Sequence, residues 1–108
     1  MRPQTFHISQ AFQTFMTEAH AHAQAWATMC QELERANALD TKTGELAYLA
    51  VLAALRLESG IPFHVEAAKK AGASREEVIS AILAGLPAAG HVVVQALPAA
   101  VAAYDAET

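Results

Sequence analysis

Residues 44–72 read GELAYLAVLAALRLESGIPFHVEAAKKAG, and the fold is decided in this stretch. Its first half carries Leu46, Tyr48, Leu49, Val51, Leu52 and Leu55, which point in every direction around a helix. The spacing predicts a helix from about Lys42 to Glu58, capped by Asp40 or Thr41. A helix that is apolar all round belongs in the middle of a core or between subunits. Ser59-Gly60-Ile61-Pro62 ends it, with Gly60 suited to a left-handed C-terminal turn and Pro62 to the first turn of the next helix. That next helix, about Pro62 to Ala71, carries Phe63, His64, Val65, Ala67 and Ala68. Lys69 and Lys70 lie at its C-terminal end, where the helix dipole favours cations, and Gly72 stops it.

Outward from this centre the pattern stays helical, with no convincing strand. Upstream, Ser9 is an N-cap for a helix running to about Ala36, with Asn37 as its C-cap. Phe12, Phe15, Met16, Ala19, Ala23, Trp26, Cys30 and Leu33 recur along it at three- and four-residue steps as one apolar stripe. Downstream, Ser74-Arg75-Glu76-Glu77 is a capping box that opens a helix through Val78, Ile79, Ile82 and Leu83 to about Leu86. Pro87 breaks or kinks that helix, and a last one, interrupted near Pro98, reaches Tyr104. The expectation is an all-α chain of five helical segments, residues 1–108 forming one domain.

Composition narrows the function classes. Hydrophobic residues make up 54% of the 108 and charged residues only 17%, which excludes a disordered chain. It also leaves more apolar surface than so small a domain can bury alone, so the surplus calls for association with further copies. The net charge is −4 and the seven Lys and Arg are scattered, leaving no electrostatic footprint for nucleic acid. The N-terminus lacks the apolar run of a signal peptide, and the reading is a cytoplasmic protein. Residues 81–104 are long and apolar enough to span a bilayer. Gly85, Pro87, Gly90, Pro98 and the many alanines nevertheless favour packing against protein, so no membrane partner is expected. A single cysteine, Cys30, rules out a disulfide or C-x-x-C pair within the chain. With Trp26, Met29 and Leu33 around it and no cation adjoining, it reads as a small hydrophobe.

Three features together carry a family resemblance. A helix entered through Glu45 leads by a short turn to a helix with His64 near its start. Residues Ala68-Lys69-Lys70-Ala71-Gly72-Ala73-Ser74-Arg75-Glu76-Glu77 follow the pattern A-x-x-x-G-A-[ST]-x-E-E. Ala84-Gly85-Leu86-Pro87-Ala88-Ala89 is similar to an A-G-V-P-A-A run. In order and spacing the stretch from about Leu39 to Tyr104 resembles the carboxymuconolactone decarboxylase family, including its alkylhydroperoxidase D-like branch. The resemblance implies a domain of about five to six helices assembled as a homo-oligomer, a trimer, hexamer or similar ring. In the peroxidase-like branch a C-x-x-C-x-x-x-H motif occupies the turn, with a Glu nineteen residues before the His. His64 and Glu45 match that His and Glu, while Leu57 and Gly60 stand at the two cysteine positions. The dithiol hydroperoxidase mechanism is therefore lost.

What survives implies a cofactor-free, non-redox lyase or decarboxylase acting on a small carboxylated or lactone-like metabolite. His64 and Glu45 are the candidate catalytic residues, and no metal site is expected. At a helix N-terminus the dipole disfavours a cationic His64, so a neutral imidazole can serve as a base. Antiparallel packing across the turn is expected to separate Glu45 and His64 by a helix length, so that they meet only through a bend or between subunits. Arg56, the one cation in the long apolar run, can hold a substrate carboxylate or pair with Glu58 or a neighbouring subunit. His91 can line the cavity of His64. Glu18 and His22, four apart on one predicted helix, face each other but offer only two ligands. Two alternatives stand beside the lyase: a degenerate ligand-binding or scaffold member of the same fold, and weak peroxide handling through Cys30.

Overall fold

The computed structural model describes residues 8–106, and among them there is no β-strand. In order the elements are α1 (Gln10–Glu18), α2 (His20–Ala36), α3 (Thr41–Ala54), a 3-10 turn (Glu58–Gly60), α4 (Ile61–Lys70), α5 (Arg75–Leu83), α6 (Leu86–Ala89), a 3-10 segment (Gly90–Ala96) and α7 (Leu97–Asp105). Leu49, Leu52 and Ala53 of α3, Ile61, Val65 and Ala68 of α4, and Val78 and Ile82 of α5 build one core. Val93, Ala96, Ala100 and Ala103 close it from the C-terminal side. The all-α reading holds, and α3 is the central helix that its sequence demands. Yet α3 also leaves Tyr48 and Val51 exposed, and its C-cap Leu55 with them, because the apolar residues run all the way round.

Three boundaries differ from the sequence reading. The first helix is broken at Ala19 (φ −131°, ψ 56°), and α1 folds back on α2. The cause is tertiary, since Ala is the best helix former. Phe12 and Trp26 lie with ring centroids 5.3 Å apart, and Phe15 joins them at 6.3 Å from Trp26. In a continuous helix residues 12 and 26 would stand roughly 21 Å apart. The long stripe therefore closes on itself instead of facing the core, and of α1 and α2 only Ala23 is buried. The break also takes Glu18 and His22 off a common helix, which removes the four-residue spacing that made them a pair.

The second difference is that α3 stops at Ala54, four residues before Glu58. Arg56 takes the left-handed conformation (φ 62°), not Gly60 (φ −88°). The N–H of Leu57 bonds the Leu52 carbonyl at 2.9 Å and that of Arg56 the Ala53 carbonyl at 3.2 Å, a Schellman cap. The end of α4 repeats the same two bonds around Gly72 (φ 103°), from Ala73 to Ala68 and from Gly72 to Lys69. Third, the last helix resolves into α6, the 3-10 segment and α7, with Gly90 (φ 81°) at the corner and prolines in the first turns of α6 and α7. A window within Arg75–Asp105 is apolar enough to cross a membrane by composition (mean hydropathy 1.7). Here that stretch is folded into separate pieces whose buried residues share the one core, the packing of a globular protein.

Polar ties pin the ends of these pieces. The capping box is present as read, with the Ser74 N–H donating to Glu77 Oε1 at 2.9 Å and the Glu77 N–H to Ser74 Oγ at 3.1 Å. The Tyr104 hydroxyl donates to the Ala73 carbonyl (2.8 Å), and Lys69 Nζ donates to the Tyr104 carbonyl (2.7 Å). Arg75 grips Asp105 through two bonds of 2.9 and 3.2 Å. The Ser74 N–H, then Lys42, holds the Glu77 carboxyl below its ordinary range, and Arg75 does the same for Asp105. Carboxyls with depressed folded values contribute stability above the ordinary carboxylate range and lose it as pH falls through the folded values. The melting temperature is therefore expected to drop below about pH 4. A Glu77→Gln/Asp105→Asn variant should flatten that acid limb in a thermal melt series across pH; an unchanged limb would assign it to other carboxylates.

Candidate functional site

Glu45 and His64 meet within one chain. Glu45 sits in the second turn of α3 and His64 is the fourth residue of α4, and His64 Nδ1 lies 2.8 Å from Glu45 Oε1. This corrects the expected separation by a helix length. Because α3 ends early, residues 55–60 turn back along it, and Gly60 comes to rest against Leu52, where an added Cβ would be 3.5 Å from a Leu52 methyl. One turn further along α4, His64 stands opposite Tyr48, their ring centroids 4.6 Å apart. Glu45 is one turn of α3 beyond Tyr48, about 4.5 Å along the axis, a gap its side chain spans. No bend and no second subunit is needed.

The pair is half-buried, with side-chain exposures of 27% for His64 and 24% for Glu45. A carboxylate in its ionised form only accepts, and with Glu45 in that form the contact selects the Nδ1–H tautomer, in which Nε2 is the unprotonated nitrogen. Among the described residues Nε2 makes no hydrogen bond. Two further side chains frame the imidazole: Tyr48, which was not singled out from sequence, and Phe63 with its ring centroid at 5.1 Å. The signal for Tyr48 was its place three residues after Glu45, on the same helical face. Phe63 is the neighbour of His64 in the chain, and its contact follows from side-chain rotation that spacing does not reveal.

The other candidates are not drawn into this constellation. Arg56 is exposed on the left-handed cap and forms no ion pair among the described residues, with Glu58 or otherwise. His91 is exposed at the start of the Gly90–Ala96 segment and, among the described residues, makes no hydrogen bond, ion pair or ring contact with Glu45 or His64. Cys30 is partly exposed on α2, outside the core cluster. Leu57 and Gly60 flank and close the 3-10 turn that leads into α4, so the positions where the dithiol would stand immediately precede the helix bearing His64. Among the described residues no three His, Cys, Asp or Glu side chains gather as a metal site. A groove of about 360 Å³, lined by Ile8, Ser9, Pro62, Ala99 and Ala103 among others, does not include Glu45 or His64.

No curated relative and no solved structure matches the chain. The model of the carboxymuconolactone decarboxylase family does, over residues 20–103, which takes in α2, the Glu45–His64 pair and nearly all of α7. With the order of helices, the capped turn and the Glu–His pair all lying inside that match, the chain belongs to the carboxymuconolactone decarboxylase family.

Proposed function

We propose that this protein is a cofactor-free, non-redox lyase or decarboxylase that works by acid–base chemistry on a small carboxylated or lactone-like metabolite in the cytoplasm. The observation that carries the reading is the 2.8 Å contact between Glu45 and His64 Nδ1. A carboxylate that holds Nδ1–H fixes the tautomer in which Nε2 is the base, and it stabilises the imidazolium formed when Nε2 takes a proton. In a decarboxylation the bond from carbon to the substrate carboxylate breaks, CO2 leaves, and the electron pair moves into an adjacent carbonyl. The proton that replaces CO2 on carbon comes from the protonated Nε2, which solvent recharges, so the protein supplies this pair and a group to hold the substrate. Arg56, exposed and without an ion pair among the described residues, is the cation for a substrate carboxylate, and His91 is a second contact. Neither is bonded to the pair among the described residues, so a substrate or a neighbouring copy links them. The test is a turnover screen of small carboxylates and lactones with wild-type and His64→Ala protein side by side.

A second reading, a ligand-binding or scaffold member without turnover, is favoured by the groove of about 360 Å³ that lies apart from the pair and has an apolar lining. Binding of a metabolite with no product, unaffected by His64→Ala, would select it.

Homo-oligomeric assembly, as a trimer or hexamer, belongs to the same proposal. Trp26, Met29 and Leu33 on α2, Tyr48 and Val51 on α3, Leu55 just after it and Phe63 on α4 are exposed, more large apolar surface than a monomer ordinarily presents. Light scattering is expected to give a mass of several chains, and Trp26→Asp/Leu33→Asp to reduce it. A wild-type monomer at every concentration would end this part of the proposal.

A further inference from the structure

We infer that Tyr48 is the positioning residue of the pair: its ring holds the imidazole of His64 in the plane that keeps Nδ1 on Glu45 and Nε2 presented outward. The inference rests on the Glu45–His64 acid–base reading and extends it to a third side chain. A single hydrogen bond at Nδ1 fixes one point of the imidazole and leaves the ring free to swing about that point. A second contact at the ring itself removes that freedom. Tyr48 supplies it, with centroids 4.6 Å apart and planes at 60°, an edge-on approach favourable for two aromatic rings. It comes from the same face of α3 as Glu45, so one rigid helix delivers both the tether and the stop. Phe63 adds a contact at 84°, but from the neighbouring position in the chain of His64 itself, so it moves with α4 and cannot register one helix on the other.

Tyr48 takes no part in the core of its own chain. It is 47% exposed, while the core on its helix is built by Leu49, Leu52 and Ala53. Its hydroxyl makes no hydrogen bond among the described residues. Within the chain, the aromatic contact of its ring is with His64.

The experiment is imidazole tautomer assignment by two-bond 15N–1H correlation on the full-length labelled protein, at a pH where His64 is neutral. Wild type is expected to show the Nδ1–H form dominant. Tyr48→Phe keeps the ring and should reproduce it. Tyr48→Ala should lower the ratio of Nδ1–H to Nε2–H by roughly threefold or more, the range that an aromatic pair is worth. Tyr48→Leu serves if Tyr48→Ala does not fold, and the same drop is expected. An unchanged ratio in Tyr48→Ala or Tyr48→Leu overturns the role of Tyr48 and leaves the pair standing. Tyr48→Phe behaving as Tyr48→Ala overturns it too, by moving the effect to the hydroxyl. A wild type without Nδ1–H dominance, or a Glu45→Gln variant that keeps it, instead overturns the Glu45–His64 reading beneath.

Discussion

His64→Ala is expected to lower kcat on a processed carboxylate or lactone by roughly two to four orders of magnitude, the usual contribution of a positioned general base. The loss should fall on kcat and on kcat/KM alike, since Nε2 is asked to act in the transition state and not in binding. Glu45→Gln tests the other half of the pair, which is joined at 2.8 Å. The carboxylate can only accept, whereas the Gln amide can also donate. An amide N–H turned toward Nδ1 stabilises the opposite tautomer and places the proton on Nε2, where the base is needed. Glu45→Gln is therefore expected to cost at least about tenfold in kcat, with the fold intact. Steady-state kinetics of both variants decide the matter. Wild-type kcat in both would remove the pair from the chemistry.

Leu49→Ala should have the largest effect on stability. Leu49 is fully buried on α3, at the centre of the cluster that α4, α5 and α7 share. Truncation there loses the transfer free energy of the removed atoms and leaves a cavity, about 3 kcal/mol together. Against a typical total of roughly 5–15 kcal/mol this is a large share. For a chain of this length it corresponds to a fall in Tm of roughly 10–20 °C. The comparison belongs at one protein concentration, because association also raises apparent stability. A fall of only a few degrees would mean that the neighbouring helices collapse into the space.

What the sequence disclosed depended on how local the deciding forces were. The Ser74–Glu77 capping box involves four consecutive residues, and both its hydrogen bonds are where the sequence put them. Glu45 and His64 were legible as residues, through a family pattern, but their contact was not. It depends on α3 ending at Ala54, and nothing marks Leu55-Arg56 as a cap, since Arg is an uncommon choice for a left-handed position. Gly60, the residue that looked suited to that conformation, has φ −88° instead and lies beside Leu52 with room for a Cβ at ordinary contact distance. The break at Ala19 was illegible for the opposite reason. Its local propensity is strongly helical, and the force that overrides it joins Phe12 to Trp26 across fourteen positions. Arg56 and His91 were named from charge and type alone, which say nothing of where the backbone will aim them.

The two Schellman caps form a controlled comparison within one molecule. They share the same pair of hydrogen bonds, but glycine occupies one left-handed position and arginine the other. For an L-residue that conformation costs on the order of 1 kcal/mol, and at Arg56 no buried contact offsets it. The α3–α4 turn is thus a place where surface charge and conformational ease are in direct exchange. Its stability is adjustable at one exposed position, with the core and the Glu45–His64 pair left as they are.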